Sequence, residues 1–467
     1  MSKTRLFFAL LFALLLASRM CHTGILWEGD VLPLAAAGQM LDGQVLYRAI
    51  WYDKPPLAPA FHLLSAGGPG WPLRLADALY AFLCCAIAFG FARDLWSRRE
   101  GLWAAALMAI YLTFYIPTAV IPVGSDMVML APHAAAVWMA HKRRPFWSGA
   151  LAGVAFWASP KAVFVAAACV LWHPAGALLM AAGFAAVSGV AAGWLWAAGA
   201  LGAYWREVWE WGRLYAADTF LAEPWKNGLV RTLNWMGFHA AAVAAAAWFF
   251  VKTARAGDRR AVLRWGGWLA LALMGVAAGL RFFPRYYLLL LPVAALMAAR
   301  GFATLGRARL AVGLLLIVPI ARFGPTYVAA VTTPHWRDIA MDQDSRAAAA
   351  IIRKTARPGD TLFVWGYRPE LFVYSGLRAG SIYLDSQPLT GVPADRHLTQ
   401  STPVETAESS RRRAQFAEFC RPDIVADGLS AYNPNLAMTR YPELAVWLRR
   451  YALAGRTSQT AIYRRIP

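Results

Sequence analysis

Charge is scarce in this sequence. Only 15% of its 467 residues are Asp, Glu, Lys or Arg, where a soluble domain carries about 25%. Acids are the rarer sign, with 26 Asp and Glu against 46 Lys and Arg. With 59% hydrophobic residues, including 22 Trp, 24 Phe and 17 Tyr, the chain holds more apolar surface than a soluble chain could hide. Disorder, a coiled coil and an ordinary row of soluble domains are thereby excluded. Cysteine is equally sparse. Cys21, Cys84, Cys85, Cys169 and Cys420 show neither metal-site spacing nor a disulfide framework, and they read as small buried hydrophobes. The sequence has no glycine-rich phosphate loop and no internal repeat.

What it does have is a succession of apolar runs. Lys3 and Arg5 precede the run 6–17, which ends in Ser18-Arg19-Met20-Cys21-His22, a poor cleavage site. The run therefore reads as an uncleaved first membrane helix. Further spans are predicted at about 72–92, 102–118, 126–141, 146–159, 161–175, 176–200, 233–251, 265–280, 286–300 and 308–322. This predicts a polytopic α-helical membrane protein with about eleven transmembrane helices, several shorter than the ~20 residues that cross a bilayer unaided. Alternate helix ends carry sixteen basic residues, among them Arg98, Lys142, Arg255 and Arg307, against three acids, Asp94, Glu100 and Asp258. That asymmetry places those ends and the N-terminus in the cytoplasm. It also explains the net charge of +20 without nucleic acid, which is not expected as a partner.

Composition changes near residue 323. Residues 1–322 hold 28 basic and 13 acidic residues, and residues 323–467 hold 18 and 13, so the charged fraction rises from about 13% to about 21%. The first part is expected to be the membrane domain. The second is expected to be a small α/β domain on the exterior or periplasmic side of the inner (plasma) membrane. In the second part, helices are predicted at 344–355, 370–375, 405–420 and 442–450, and strands at 361–365, 381–384, 423–426, 451–455 and 460–464. Two long exterior loops, 22–71 and 201–232, contain the stretches 31–41 and 204–211. Both are expected to be amphipathic helices lying in the membrane interface.

Acids near a membrane are costly and usually functional. Away from the cytoplasmic ends, few remain. Glu28, Asp30, Asp42 and Asp53 lie in the first loop, Asp77 stands one turn from Arg74 as an apparent ion pair, and Asp126 stands alone in Pro122-Val123-Gly124-Ser125-Asp126. As a bland alternative, Asp126 would cap the helix that follows it.

The first loop reads Trp27-Glu28-Gly29-Asp30, then Gly43-Gln44-Val45-Leu46-Tyr47-Arg48, then Trp51-Tyr52-Asp53-Lys54-Pro55-Pro56-Leu57. It resembles the first exterior loop of GT-C membrane glycosyltransferases. The branch is that of the protein O-mannosyltransferases, the lipid A aminoarabinose transferase and the lipopolysaccharide-core transferases. The resemblance continues at Gly124-Ser125-Asp126 and at Arg281-Phe282-Phe283-Pro284-Arg285-Tyr286-Tyr287, and it covers about residues 1–322. One departure is that Gly29 separates two acids that are often adjacent in the family, which leaves open which of them is the base.

The resemblance implies transfer of a sugar from a polyprenyl monophosphate carrier to a hydroxyl on a glycan, lipid or protein acceptor. A carboxylate should take the acceptor proton, and cations should stabilise the leaving phosphate. Asp30 is expected to be the base, with Glu28 and Asp126 orienting it or the acceptor, in a single inverting displacement. Lys54, Arg281, Arg285 and Tyr286 are expected to bind the lipid phosphate. Tyr287, Lys161, His62, Arg206, Arg231 and His133 are secondary candidates with simpler structural readings. Three carboxylates could hold a divalent cation, but the branch does not generally require one, so no metal or other cofactor is expected. A transporter or lipid flippase is the alternative from another class. It is disfavoured because no charge sits at a clear helix midpoint and no paired broken-helix repeat is found.

Overall fold

The two long loops, 22–71 and 201–232, are not loose connections but the layer on which the C-terminal domain rests. The computed structural model describes residues 3–115, 122–217, 223–333, 339–392 and 406–467. The end of the expected span 102–118, part of the second loop (218–222) and residue 405 of the expected helix 405–420 lie outside the described residues.

The protein is a polytopic helical membrane protein with one small sheet. Among the described residues, four helical stretches are long and apolar enough to cross a bilayer: Trp71–Leu95, Pro174–Ala197, Pro284–Thr304 and Gly306–Thr332. The expected span 233–251 is instead a pair of helices, Pro224–Phe238 and Ala240–Arg255, bent by 91° at His239. The expected breaks before residues 161 and 176 are present, and they leave the short apolar helices Pro145–Phe156 and Pro160–Trp172. The first helix, Lys3–Met20, is anchored by fully buried Arg19, which bonds the Leu112 carbonyl at 2.7 Å and faces Asp77 at 3.4 Å. The apolar character of the membrane part continues past residue 323, because a helix runs unbroken from Ile317 to Thr332.

Helix Glu28–Leu41 departs from its expected place in the interface. Val31, Leu32, Leu34 and Ala35–Ala37 are all buried. The reason is a second contact surface that its sequence does not show. Leu26 and Val31 pack with Tyr367, Val373 and Tyr374 of the C-terminal domain. Gln39 donates to the Leu377 carbonyl at 3.2 Å and accepts from the Ala379 N–H at 2.8 Å.

The C-terminal sheet comprises β1 (Thr361–Trp365), β2 (Arg378–Ala379), β3 (Ile424–Asp427), β4 (Tyr451–Arg456) and β5 (Ala461–Arg465), in the order β2-β1-β3-β5-β4. β1 runs parallel to β2 and β3, and β5 runs antiparallel to β3 and β4. The segment 381–384 is not a strand. Its Ile382 carbonyl accepts the Trp51 N–H at 2.6 Å, so its backbone serves the first long loop rather than the sheet.

Candidate active site

Glu28 and Asp30 both lie in the first turn of helix Glu28–Leu41. Residues two positions apart in an α-helix are separated by about 200° around its axis, so the two carboxylates leave the helix on different sides. Asp30 turns inward and is fully buried. Its Oδ2 lies 2.9 Å from Arg74 Nη1, and its Oδ1 accepts the Val123 N–H at 2.7 Å. Arg74 also donates to the Ile25 carbonyl at 2.7 Å. The expected Arg74–Asp77 pair is therefore replaced by two cross-helix pairs, Arg74–Asp30 and Arg19–Asp77.

Gly29 lies between the acids for a packing reason. A Cβ there would stand 2.4 Å from Pro122 Cγ, and one on Gly124 would stand 3.2 Å from the Gly29 carbonyl oxygen. The missing side chains let the segment that carries Asp126 close onto the helix turn that carries Glu28.

One pocket results, lined by Glu28, Tyr52, Lys54, Asp126, Arg285 and Tyr367 among others. Asp126 occupies the first turn of the short helix Ser125–Val128. Its two oxygens face Lys161 Nζ at 3.6 Å and Arg285 Nε at 3.8 Å. Lys161 lies over the Tyr286 ring, and the Arg285 guanidinium is 5.2 Å from the Phe283 ring centre. Lys54 pairs with Asp53 at 2.7 Å and stays partly open to solvent. Asp30, Arg281 and Tyr286 are not on the pocket lining, and Arg281 is buried. Among the described residues no group of three or more His, Cys, Asp or Glu side chains is placed to hold a metal ion. The nominal trio of acids is split because Asp30 is bonded to Arg74.

Several secondary candidates make structural bonds. Tyr287 bonds Thr232 at 2.8 Å, His62 the Val123 carbonyl at 3.0 Å, and His133 accepts from Trp268 Nε1 at 3.0 Å.

The whole chain superposes on solved structures of low sequence identity. ArnT from Cupriavidus metallidurans bound to undecaprenyl phosphate matches with a TM-score of 0.63 at 12% identity, covering 99% of this chain and 98% of that one. The same protein in its apo state gives a TM-score of 0.60 at 12% identity over the same shares. The Archaeoglobus fulgidus oligosaccharyltransferase in complex with Zn and sulfate matches at 0.52 and 12% identity, covering 98% of this chain and 73% of that one. This is the GT-C fold. No protein-family model and no curated protein matches the sequence.

Within the GT-C fold, the lining also includes residues given no role from the sequence, Tyr52 and Tyr367 among them. Tyr52 precedes the Asp53-Lys54 pair, and Tyr367 comes from the C-terminal domain. Burial first, then the carboxylates of Glu28 and Asp385, push the Tyr367 hydroxyl well up, so it enters the pocket as a neutral hydrogen-bond donor. A signal for Tyr367 existed. It follows the carboxyl end of parallel strand β1 after Gly366 (φ 110°), the end of a parallel sheet where ligands gather.

Asp385 lies behind this layer. Burial raises its carboxyl to about 7, and the nearby Asp53 adds to the rise, while the Gln387 N–H at 2.9 Å and Lys54 oppose it. A carboxyl raised in the folded state contributes stability that is complete below about pH 4 and is lost as the pH climbs to about 7. Asp385→Asn should therefore flatten the fall in stability between pH 4 and pH 8 by on the order of 3 kcal/mol. Unfolding temperatures of both proteins across that range test this. Parallel profiles would assign the pH dependence to another group.

Proposed function

We propose that this protein is an integral membrane glycosyltransferase that moves a sugar from a polyprenyl monophosphate carrier to a hydroxyl acceptor at the exterior face. The observation that carries the reading is the pocket itself. Two carboxylates, Glu28 and Asp126, line it together with two cations, Lys54 and Arg285, and Lys161 stands just behind the lining, 3.6 Å from Asp126. A carboxylate and cations lining one pocket are what displacement at an anomeric carbon needs.

In this reading the acceptor oxygen attacks the anomeric carbon as its proton passes to Glu28. The bond from that carbon to the phosphate oxygen breaks, and the electron pair leaves with the polyprenyl phosphate. Arg285 and Lys54 take up the charge that develops there, and Asp126, held from behind by Lys161, keeps Arg285 in place. Glu28 takes the role that the sequence reading gave to Asp30. A single displacement inverts the anomeric centre. The cations already supply the charge that a metal ion would bring, so the reading assigns no metal.

The enzyme is tested in cells by mass spectrometry of lipids and glycans with and without the protein. A polyprenyl-phosphate sugar should accumulate in its absence, and unchanged lipid-linked sugars would argue against the reading. The donor site is tested in a reconstituted transfer assay. A charge-assisted hydrogen bond contributes about 1.5–3 kcal/mol, so Arg285→Ala should raise the apparent donor KM about 10- to 100-fold. Arg285→Lys should restore part of the loss, since charge returns without the planar fork. An unchanged donor KM would reduce Arg285 to an interfacial anchor.

The same reading includes about eleven membrane crossings, a cytoplasmic N-terminus and an exterior C-terminal domain that begins after Thr332. Cysteine labelling with an impermeant maleimide on spheroplasts checks it at two exposed positions, Thr439 and Ala256. Thr439→Cys should label at once, and Ala256→Cys only after permeabilisation. The reverse pattern would invert the topology. Thr390 is fully buried and would report packing rather than sidedness.

A further inference from the structure

A second depression of about 670 Å³ lies outside the reactive pocket, between the two exterior loops and the C-terminal domain. Its size is in the range of ligand sites. One wall is helix Ala407–Phe419, which contributes Glu408, Arg411, Arg412 and Gln415. That spacing places all four on one helical face. The opposite wall comes from the second loop, where residues Trp205–Glu210 form a π-helical turn. Such turns are rare and often mark functional sites. Here the turn brings Arg206, Glu207 and Glu210 to the groove.

The chemistry of the groove is specific. Five arginines line it against three glutamates. Arg48, Arg206, Arg213 and Arg411 are exposed. Arg412 is only 8% exposed, with its guanidinium 4.5 Å from the Trp51 ring centre and 5.2 Å from that of Trp211. Its Nε bonds Glu408 at 3.0 Å, while its buried Nη1 has no hydrogen-bond partner among the described residues. A buried guanidinium nitrogen without a partner is costly, and a ligand oxygen would relieve it. The glutamates constrain what that ligand is. Glu408 is held by Arg411 at 2.7 Å and by Arg412 at 3.0 Å, and Glu210 adds a second carboxylate, so the groove presents acceptors for hydroxyls beside an excess of cations. A hydroxyl-rich anion satisfies both signs, since its hydroxyls donate to carboxylates and its anionic group accepts from arginine forks.

We infer that this groove binds an anionic saccharide and is where the acceptor is recognised. The acceptor assignment rests on the glycosyltransferase reading above. The two sites share a wall, because Glu207 lines the groove and accepts the backbone N–H of Tyr52 at 2.9 Å, while Tyr52 lines the reactive pocket. Burial raises the Glu207 carboxyl to about 9, so it stands neutral at pH 7 and leaves the nearby charges of Arg206 and Arg412 available.

The test is calorimetric titration of the purified full-length protein with lactose 1-phosphate, lactose, inorganic phosphate and glycerol 1-phosphate. Lactose 1-phosphate should bind at least tenfold more tightly than the other three. Arg206→Gln combined with Arg213→Gln, both on exposed side chains, should weaken it at least tenfold. Arg412→Gln should do the same, and the double variant decides the matter if Arg412→Gln does not fold. Glu28→Gln should leave this binding unchanged while it removes transfer. Equal binding of inorganic phosphate would make the groove a plain anion site, and preference for glycerol 1-phosphate would make it a lipid-headgroup contact. Either result, or binding indifferent to the arginine variants, overturns the inference. Binding as expected in a protein that supports no transfer from any lipid-linked sugar would leave the groove standing and remove the transferase reading.

Discussion

Glu28→Gln is expected to lower the transfer rate about 10²- to 10⁴-fold, the usual contribution of a general base, while donor KM and unfolding temperature stay near those of the wild type. Glutamine keeps the shape of the side chain and removes its ability to accept the proton. Among the described acids, Glu28 and Asp126 line the reactive pocket. The oxygens of Asp126 are directed at Lys161 and Arg285, which suits it to hold cations rather than to reach the acceptor. Asp126→Asn should therefore raise donor KM along with any loss of kcat. A single-turnover assay separates the two effects. If Asp126→Asn stops the chemical step and Glu28→Gln does not, the base is Asp126. If neither matters, the pocket is not where the sugar is transferred.

The second large effect is on folding. Asp30→Asn should cost about 3–5 kcal/mol, the usual result of removing one partner from a buried ion pair. Arg74 is fully buried and would be left facing a neutral amide. The helix turn at Glu28, the segment at Val123 and the helix Trp71–Leu95 would lose their common strut. The measurement is the yield of monodisperse protein and its unfolding temperature, not activity alone. Pairing Asp30→Leu with Arg74→Met should recover much of the stability, because an apolar pair of similar volume avoids the uncompensated charge. An Asp30→Asn protein as stable as the wild type but inactive would return the base to Asp30 and would falsify the structural role given to it here.

Legibility in the sequence followed the range of the interaction that determines each feature. The stretches 361–365 and 370–375 were predicted as strand and helix, and they form those elements with those bounds. The elements at 407–419, 424–427, 442–448, 451–456 and 461–465 lie within one or two residues of their predicted ends, and the helix predicted at 344–355 begins four residues earlier, at Ala340. Periodicity and turn residues within a few positions are enough for this. The segment 381–384 failed because its backbone partner is Trp51, more than three hundred residues earlier.

The site divides in the same way. Glu28, Asp126, Lys54 and Arg285 could be found from the sequence because acids, and cations away from the strongly basic helix ends, are rare in an apolar chain. The type of residue needed was thus local information. Which acid faces the pocket was not. Glu28 and Asp30 differ only in which side of one helical turn they occupy, and Arg74 claims Asp30 only after the helix Trp71–Leu95 has packed behind it. Tyr367 joined the site in the same way, and Lys161, only a secondary candidate by sequence, was brought to Asp126, across separations that hydropathy and spacing do not encode. The sequence by itself determined a membrane protein, its C-terminal sheet and a short set of chemically capable residues, because solvent preference and backbone periodicity act over a few residues. Only the tertiary structure decided which charges neutralise one another and which are left facing a ligand, because that depends on which distant helices come into contact.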